Sequence, residues 1–169
     1  DLELPAPAYN LEVGSGDHAA QTGEMVARLG EVFGQESPDV VVVQGDTNSA
    51  FAGGIVASKR DATLAHVEAG LRSFDRDMPE ELNRVLVDHA AEYLFAPTEE
   101  AADQLRTEAI PDRRIEVTGN TVVDAVCQHE QLARQKSDVL TELDLGDDPF
   151  ALLTAHRPGN VDDPERFQG

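Results

Sequence analysis

The chain has 169 residues, 40% of them hydrophobic. No apolar run approaches the roughly 20 residues that a membrane-spanning helix needs. The 33 acidic residues against 13 basic ones give a formal net charge of −20, which disfavours nucleic acid or anionic lipid as a partner. The single cysteine, Cys127, excludes an internal disulfide and a multi-cysteine metal site.

The length fits one domain or slightly more, with about two-thirds of the unfolded surface available for burial. Only Lys59 and Lys136 are lysines, and the acids are spread along the chain. Regular apolar segments distinguish it from a disordered acidic chain. The reading is a folded protein with an acidic, Lys-poor surface, suited to molar salt that screens self-repulsion. The opening DLELPAPAYN has neither the basic nor the apolar region of a secretory signal, and a cytoplasmic location is expected.

The first sixteen residues, which carry Pro and Gly, read as extended. Asp17 is placed to cap a helix to about residue 35, with Ala19, Thr22, Met25, Val26, Leu29, Val32 and Phe33 near one face. DVVVVQ at 39–44 has the β-branched continuity of a parallel strand buried on both faces. A helix over 48–60 follows, in which Gly53 and Gly54 require close packing to be tolerated. ATLAHV is the next strand. Pro79 suits a first helical position, and PEELNRVLVDHAAE places Leu82, Val85, Leu86, His89 and Ala90 on one side.

Strand YLFAP, a helix over 98–108, strand RIEVTG and a helix over 121–135 come next, with Thr98 and Thr121 as N-caps. Residues 136–148 read as an acidic linker, and PFALLTA as a further strand before HRPGN. Strand–helix alternation predicts an α/β fold, a Rossmann-like parallel sheet with helices on both faces. Ligands in such sheets bind at the C-terminal strand ends. Here those ends carry QGDTN, HVEAG and TAHRPGN.

Each of these ends admits two readings. Asp46 is a helix cap or a functional acid. Glu68 ends a buried strand, either paired with Arg72 or Arg84 or facing a ligand. Glu80 and Glu81 lie in a first helical turn, where the helix dipole favours acids. His156 and Arg157 either close a strand end or contact phosphate, which arginine matches in a bidentate way. His66, Glu68 and His89 lack the spacing of a compact metal motif, and no metal is expected. GxSxG, GxGxxG and P-loop patterns are absent. Cys127, mid-helix among apolar neighbours, reads as core. What remains is a set of carboxylates suited to removing and returning a proton.

QGDTNSAFAG, AHVEAGLRS, MPEELNRVLVDHAAEYLFAPTE, RIEVTGNTVVDAV and LLTAHRPGN, in that order, resemble the non-hydrolysing UDP-N-acetylglucosamine 2-epimerases. The resemblance runs from about Pro38 to Asn160, and the Lys-poor surface resembles that of haloarchaeal proteins. It implies a two-domain, glycosyltransferase-like (GT-B) architecture with the active site in the cleft. It also implies interconversion of UDP-N-acetylglucosamine and UDP-N-acetylmannosamine by loss and re-addition of UDP through a 2-acetamidoglucal. No cofactor is implied; the partners implied are the sugar nucleotide, UDP and a second copy in a homodimer.

By motif, Asp46, Glu68 and Glu80 match the family's acid/base carboxylates and His156 its UDP-sugar histidine, with Arg157 a diphosphate candidate. Asp46, Glu68, His156 and Arg157 are the substrate-binding set. The family's GTRPE-like opening and its Ser-Gly-Gly and Glu nucleotide-holding motifs have no match here. The expected layout is therefore an incomplete first domain (1–135), a linker (136–148) and the start of a UDP-binding domain (149–169), weakly active or inactive alone. A glycosyltransferase of the same architecture, a hydrolysing epimerase and a non-catalytic remnant are the competing readings.

Overall fold

The computed structural model describes residues 4–145 and 149–154. Four parallel strands form one sheet: β1 (Val40–Gln44), β2 (Thr63–Val67), β3 (Tyr93–Ala96) and β4 (Ile115–Val117), in the order β1-β2-β3-β4. Helix α1 (His18–Glu36) precedes β1, while α2 (Asn48–Ser58), α3 (Pro79–Ala90) and α4 (Glu99–Thr107) are the crossovers. Helix α5 (Thr121–Lys136) and the short α6 (Val139–Glu142) follow β4. The chain divides into two compact units, residues 1–127 and 128–169.

Local chemistry accounts for most boundaries. Asp17 caps α1 by accepting from the Ala19 and Ala20 N–H groups. Thr98 caps α4 through the Ala101 N–H, and Pro79 opens α3. Helix α5 is capped by Asn120, not Thr121: the Asn120 Oδ1 accepts from the Val122 N–H at 2.9 Å. The asparagine competes well for this position because its side chain reaches back to the first turn.

The core of the first unit joins sheet and crossover helices through Val41, Val43, Leu64, Leu94, Val87 and Leu105. Gly53 and Gly54 are explained by this packing. A Cβ at Gly53 would lie 3.0 Å from Val43, and one at Gly54 would lie 3.3 Å from Val87. Crossovers between strands taken in consecutive order place their helices on one face when all are right-handed. Burial agrees for β1, which alternates instead of being buried on both faces: Val41 and Val43 are inside, while Val40 and Val42 are 54% and 62% exposed.

Three further expectations are corrected. The apolar stripe of α3 is not its buried face: Leu82, Leu86 and His89 are exposed, and the helix buries Glu81, Asn83, Val87 and Asp88. The polar groups are inside because each is hydrogen-bonded there, as described below. Cys127 is exposed on α5 and is not a core residue. Residues 149–154 form no strand, and Leu152 and Leu153 are exposed. No neighbouring strand among the described residues takes up their backbone hydrogen bonds.

Candidate active site

Register creates the site. Gln44 lies opposite Val67, so the turn after β1 falls beside Glu68 at the end of β2. A one-residue slip would separate them and invert both strands' faces. Gly45 begins the turn at φ +70° and donates its N–H to the Val67 carbonyl at 3.0 Å. The positive φ is what calls for glycine here; a Cβ would meet only the Glu68 Oε2, at an ordinary contact distance of 3.7 Å.

Asp46 is not the helix cap. Thr47 caps α2, accepting from the Ala50 N–H. The Asp46 carboxylate instead forms an ion pair with Arg84, and its carbonyl accepts from the Asn83 Nδ2 at 2.9 Å. Two consecutive side chains of α3 therefore fix this residue. Asn83 also donates to Asn48 at 3.1 Å, and Asn48 donates to Gln21 at 2.8 Å.

Glu68 has φ +67°, in the left-handed region. A residue other than Gly, Asn or Asp seldom occupies it, and such backbones cluster at functional sites. Its carboxylate accepts from the Gln44 Nε2 at 3.0 Å. The ion pair with Arg72 or Arg84 that the sequence allowed does not form: Arg72 goes to Asp88 and Glu108, and Arg84 to Asp46.

The two acids at the start of α3 diverge. Glu81 is buried and accepts from the Ser73 N–H at 2.8 Å, the Ser73 hydroxyl at 3.0 Å and the Phe74 N–H at 3.1 Å. Burial works against its charge, but these donors and nearby Arg72 outweigh burial and hold its pKa below the usual carboxylate value. Glu81 thus ties down the loop before α3. Glu80 is half-buried and lines a cavity of about 350 Å³ with Asp46, His18, Gln21, Asn48 and Asn83. The structure brings Asp46 and Glu80 to one cavity, with Glu68 adjoining across Gly45. His156 and Arg157 lie outside the described residues.

Beneath these acids is a buried charged network. Asp88, fully buried, meets the His66 Nδ1 at 2.7 Å, the Gly70 N–H at 3.1 Å and Arg72 at 2.7 Å. Arg72 continues to Glu108 with two hydrogen bonds at 2.8 and 2.7 Å. Burial opposes the charge on Arg72, yet Glu108 and Asp88 raise its pKa above the ordinary value. The same hydrogen bonds lower the Glu108 pKa against its partial burial. Among the described residues, no three His, Cys, Asp or Glu side chains gather as a metal site requires. No helix among the described residues is long and apolar enough to cross a membrane.

The family model for UDP-N-acetylglucosamine 2-epimerase matches residues 1–169. The chain belongs to this epimerase family. A UDP-N-acetylglucosamine 2-epimerase of Methanocaldococcus jannaschii is 53% identical over 99% of the chain. The crystal structure of that organism's enzyme in complex with UDP-GlcNAc and UDP superposes with a TM-score of 0.88 over 98% of the chain. A Pseudomonas aeruginosa relative, a UDP-2,3-diacetamido-2,3-dideoxy-D-glucuronate 2-epimerase, is 39% identical over 98%. The chain spans about half the length of these relatives, 46% in each case.

Several residues of this site carry no strong local signal. The sequence pattern does not mark Gln44, Asn83 or Asp88, and it offers Arg84 to Glu68, not Asp46. It presents His66 only as a metal-ligand candidate. One signal was present: Glu81, Arg84 and Asp88 recur at helical spacing, a polar stripe competing with the apolar one.

Proposed function

We propose that this chain supplies the acid/base carboxylates of an enzyme that inverts C2 of UDP-N-acetylglucosamine, giving UDP-N-acetylmannosamine. The observation that carries the reading is the meeting of Asp46, Glu68 and Glu80 at the ends of β1 and β2 and the start of α3. The relatives' names agree with it.

A carboxylate takes the C2 proton. The C2–H electron pair becomes the C1–C2 double bond as the bond from C1 to the diphosphate oxygen breaks, and UDP leaves with that pair. A carboxylic acid returns a proton to the opposite face of C2 while UDP re-adds at C1. Atoms and electrons balance without an oxidant. C2 has no adjacent carbonyl and is weakly acidic, so positioned acids and stabilisation of departing UDP must share the barrier. His156 and Arg157 are proposed for the UDP end. Arg84 and Asn83 orient Asp46, and Gln44 orients Glu68.

The C2 chemistry is common to the Pseudomonas relative, whose named substrate is altered at other positions of the sugar. A diacetamido-glucuronate substrate is therefore the second reading. A cytoplasmic location, a homodimer and a host with molar internal salt, as in haloarchaea, complete the proposal.

The test is deuterium wash-in at C2, followed by proton NMR with the chain in molar KCl and deuterated water. Slow exchange with UDP-N-acetylglucosamine is expected, with product bearing deuterium at C2. Asp46→Asn, Glu68→Gln and Glu80→Gln should each lower it about 10²-fold or more. Exchange that survives all three substitutions, or release of free N-acetylmannosamine, would overturn the reading. Exchange confined to the diacetamido-glucuronate nucleotide selects the second substrate.

A further inference from the structure

His66 is fully buried on β2, two residues before Glu68, and belongs to none of the acid/base groups. Its Nε2 lies 2.9 Å from the Gly45 carbonyl oxygen. A carbonyl can only accept, so Nε2 carries the hydrogen and donates it. Its Nδ1 is held by Asp88 at 2.7 Å, and Asp88 is itself anchored by the Gly70 N–H and Arg72. The ring is therefore fixed from behind by a charged network and grips the turn from the front.

The gripped group matters. The Gly45 carbonyl belongs to the peptide that joins Gly45 to Asp46. Fixing that oxygen fixes the peptide plane from which Asp46 projects. The same glycine donates to the Val67 carbonyl and lies beside the Glu68 carboxylate. Because Gly45 is at φ +70° with no side chain of its own, its conformation must be imposed by neighbours.

We propose that His66 is a positioning residue of the epimerase site: its Nε2–H clasps the Gly45 carbonyl and so sets the placement of Asp46 relative to Glu68. The role in catalysis rests on the functional reading above; the clasp itself does not.

Two substitutions separate clasp from filler. The amide nitrogen of glutamine reaches the position of Nε2, and that of asparagine the position of Nδ1. His66→Gln keeps a donor for Gly45, whereas His66→Asn keeps only the one facing Asp88. The backbone amide resonances of Asp46 and Glu68 should stay close to native in His66→Gln and move in His66→Asn. In C2 exchange, His66→Gln should retain most of kcat. His66→Asn should lose about 10²-fold in kcat with KM little changed, the loss expected for a misplacement near 1 Å.

A buried side chain that serves stability alone would disturb both variants alike, and equal resonance shifts in the two overturn the clasp. If the native chain turns over and the variants' kcat values fall together, the positioning role fails while the epimerase reading stands. If the resonances follow the prediction but the native chain does not exchange C2, the clasp stands and this chain alone is not a working epimerase, as expected of 46% of a relative's length.

Discussion

At the scale of single residues, Glu68 combines a proposed acid/base role with an unfavourable backbone, at φ +67°. The left-handed conformation costs an L-residue about 1–2 kcal/mol, and glycine forfeits about 0.5–1 kcal/mol of chain entropy on folding. Glu68→Gly should therefore melt no lower than the native chain, with a gain of up to about 1.5 kcal/mol, while C2 exchange is abolished. Calorimetry and the deuterium assay check the two halves; a clear loss of stability would show that the carboxylate contributes to folding.

Gly70 is the contrasting case. It has φ +81°, and a Cβ there would lie 2.2 Å from the Ala101 carbonyl oxygen. Backbone cannot yield as a flexible side chain can, so Gly70→Ala should cost about 3 kcal/mol or more in urea unfolding.

At the scale of elements, α3 determines the shape of the site. Its inward face is polar, and each buried charge has a partner. Breaking one such partnership leaves an uncompensated charge: Asp88→Ala should destabilise by about 3–5 kcal/mol, measured by denaturant unfolding. Glu81 makes the helix pH-sensitive. Its folded-state pKa is depressed, so the unfolded chain binds more protons as pH falls through the carboxylate range. Its stabilisation is complete above the unfolded value of about 4.3 and is lost as pH drops through the lower folded value.

Glu81→Gln should lower stability at neutral pH by about 1–3 kcal/mol and flatten the acid limb of the melting profile. A limb of unchanged slope would remove Glu81 from the account. Comparing slopes is necessary because acidification also relieves the repulsion of the other carboxylates.

At the scale of the whole molecule, the net charge of −20 dominates. Among the described residues, Glu81, Asp88 and Glu108 find partners away from bulk solvent, while most other acids face solvent. Raising KCl from about 0.1 M to about 1 M shortens the screening length from about 10 Å to about 3 Å. The melting temperature should rise over this range and then level off. A melting temperature independent of salt would argue that the acids are not a load on the fold. Val40 and Val42 of β1 are an exposed apolar strip on the sheet face opposite Val41 and Val43. Val42→Lys should reduce concentration-dependent association in sedimentation without lowering stability by more than about 0.5 kcal/mol.

The sequence by itself determined the order of elements from α1 to α5, the parallel α/β class and the position of three acids at strand and helix ends, but not the short α6 or the absence of a strand at 149–154. These are local signals: β-branched runs, caps and turn residues act within one or two turns of chain. The family resemblance came from the same short motifs. Tertiary structure decided what local period could not. It chose the polar stripe of α3 as the buried face and made Thr47 the cap so that Asp46 could pair with Arg84. It also turned His66 toward the Gly45 carbonyl. These pairings join residues 21 to 38 positions apart, and they exist only once β1 and β2 are in register and α3 has docked. A helix with two competing stripes buries the one whose groups find partners, and those partners lie on other elements.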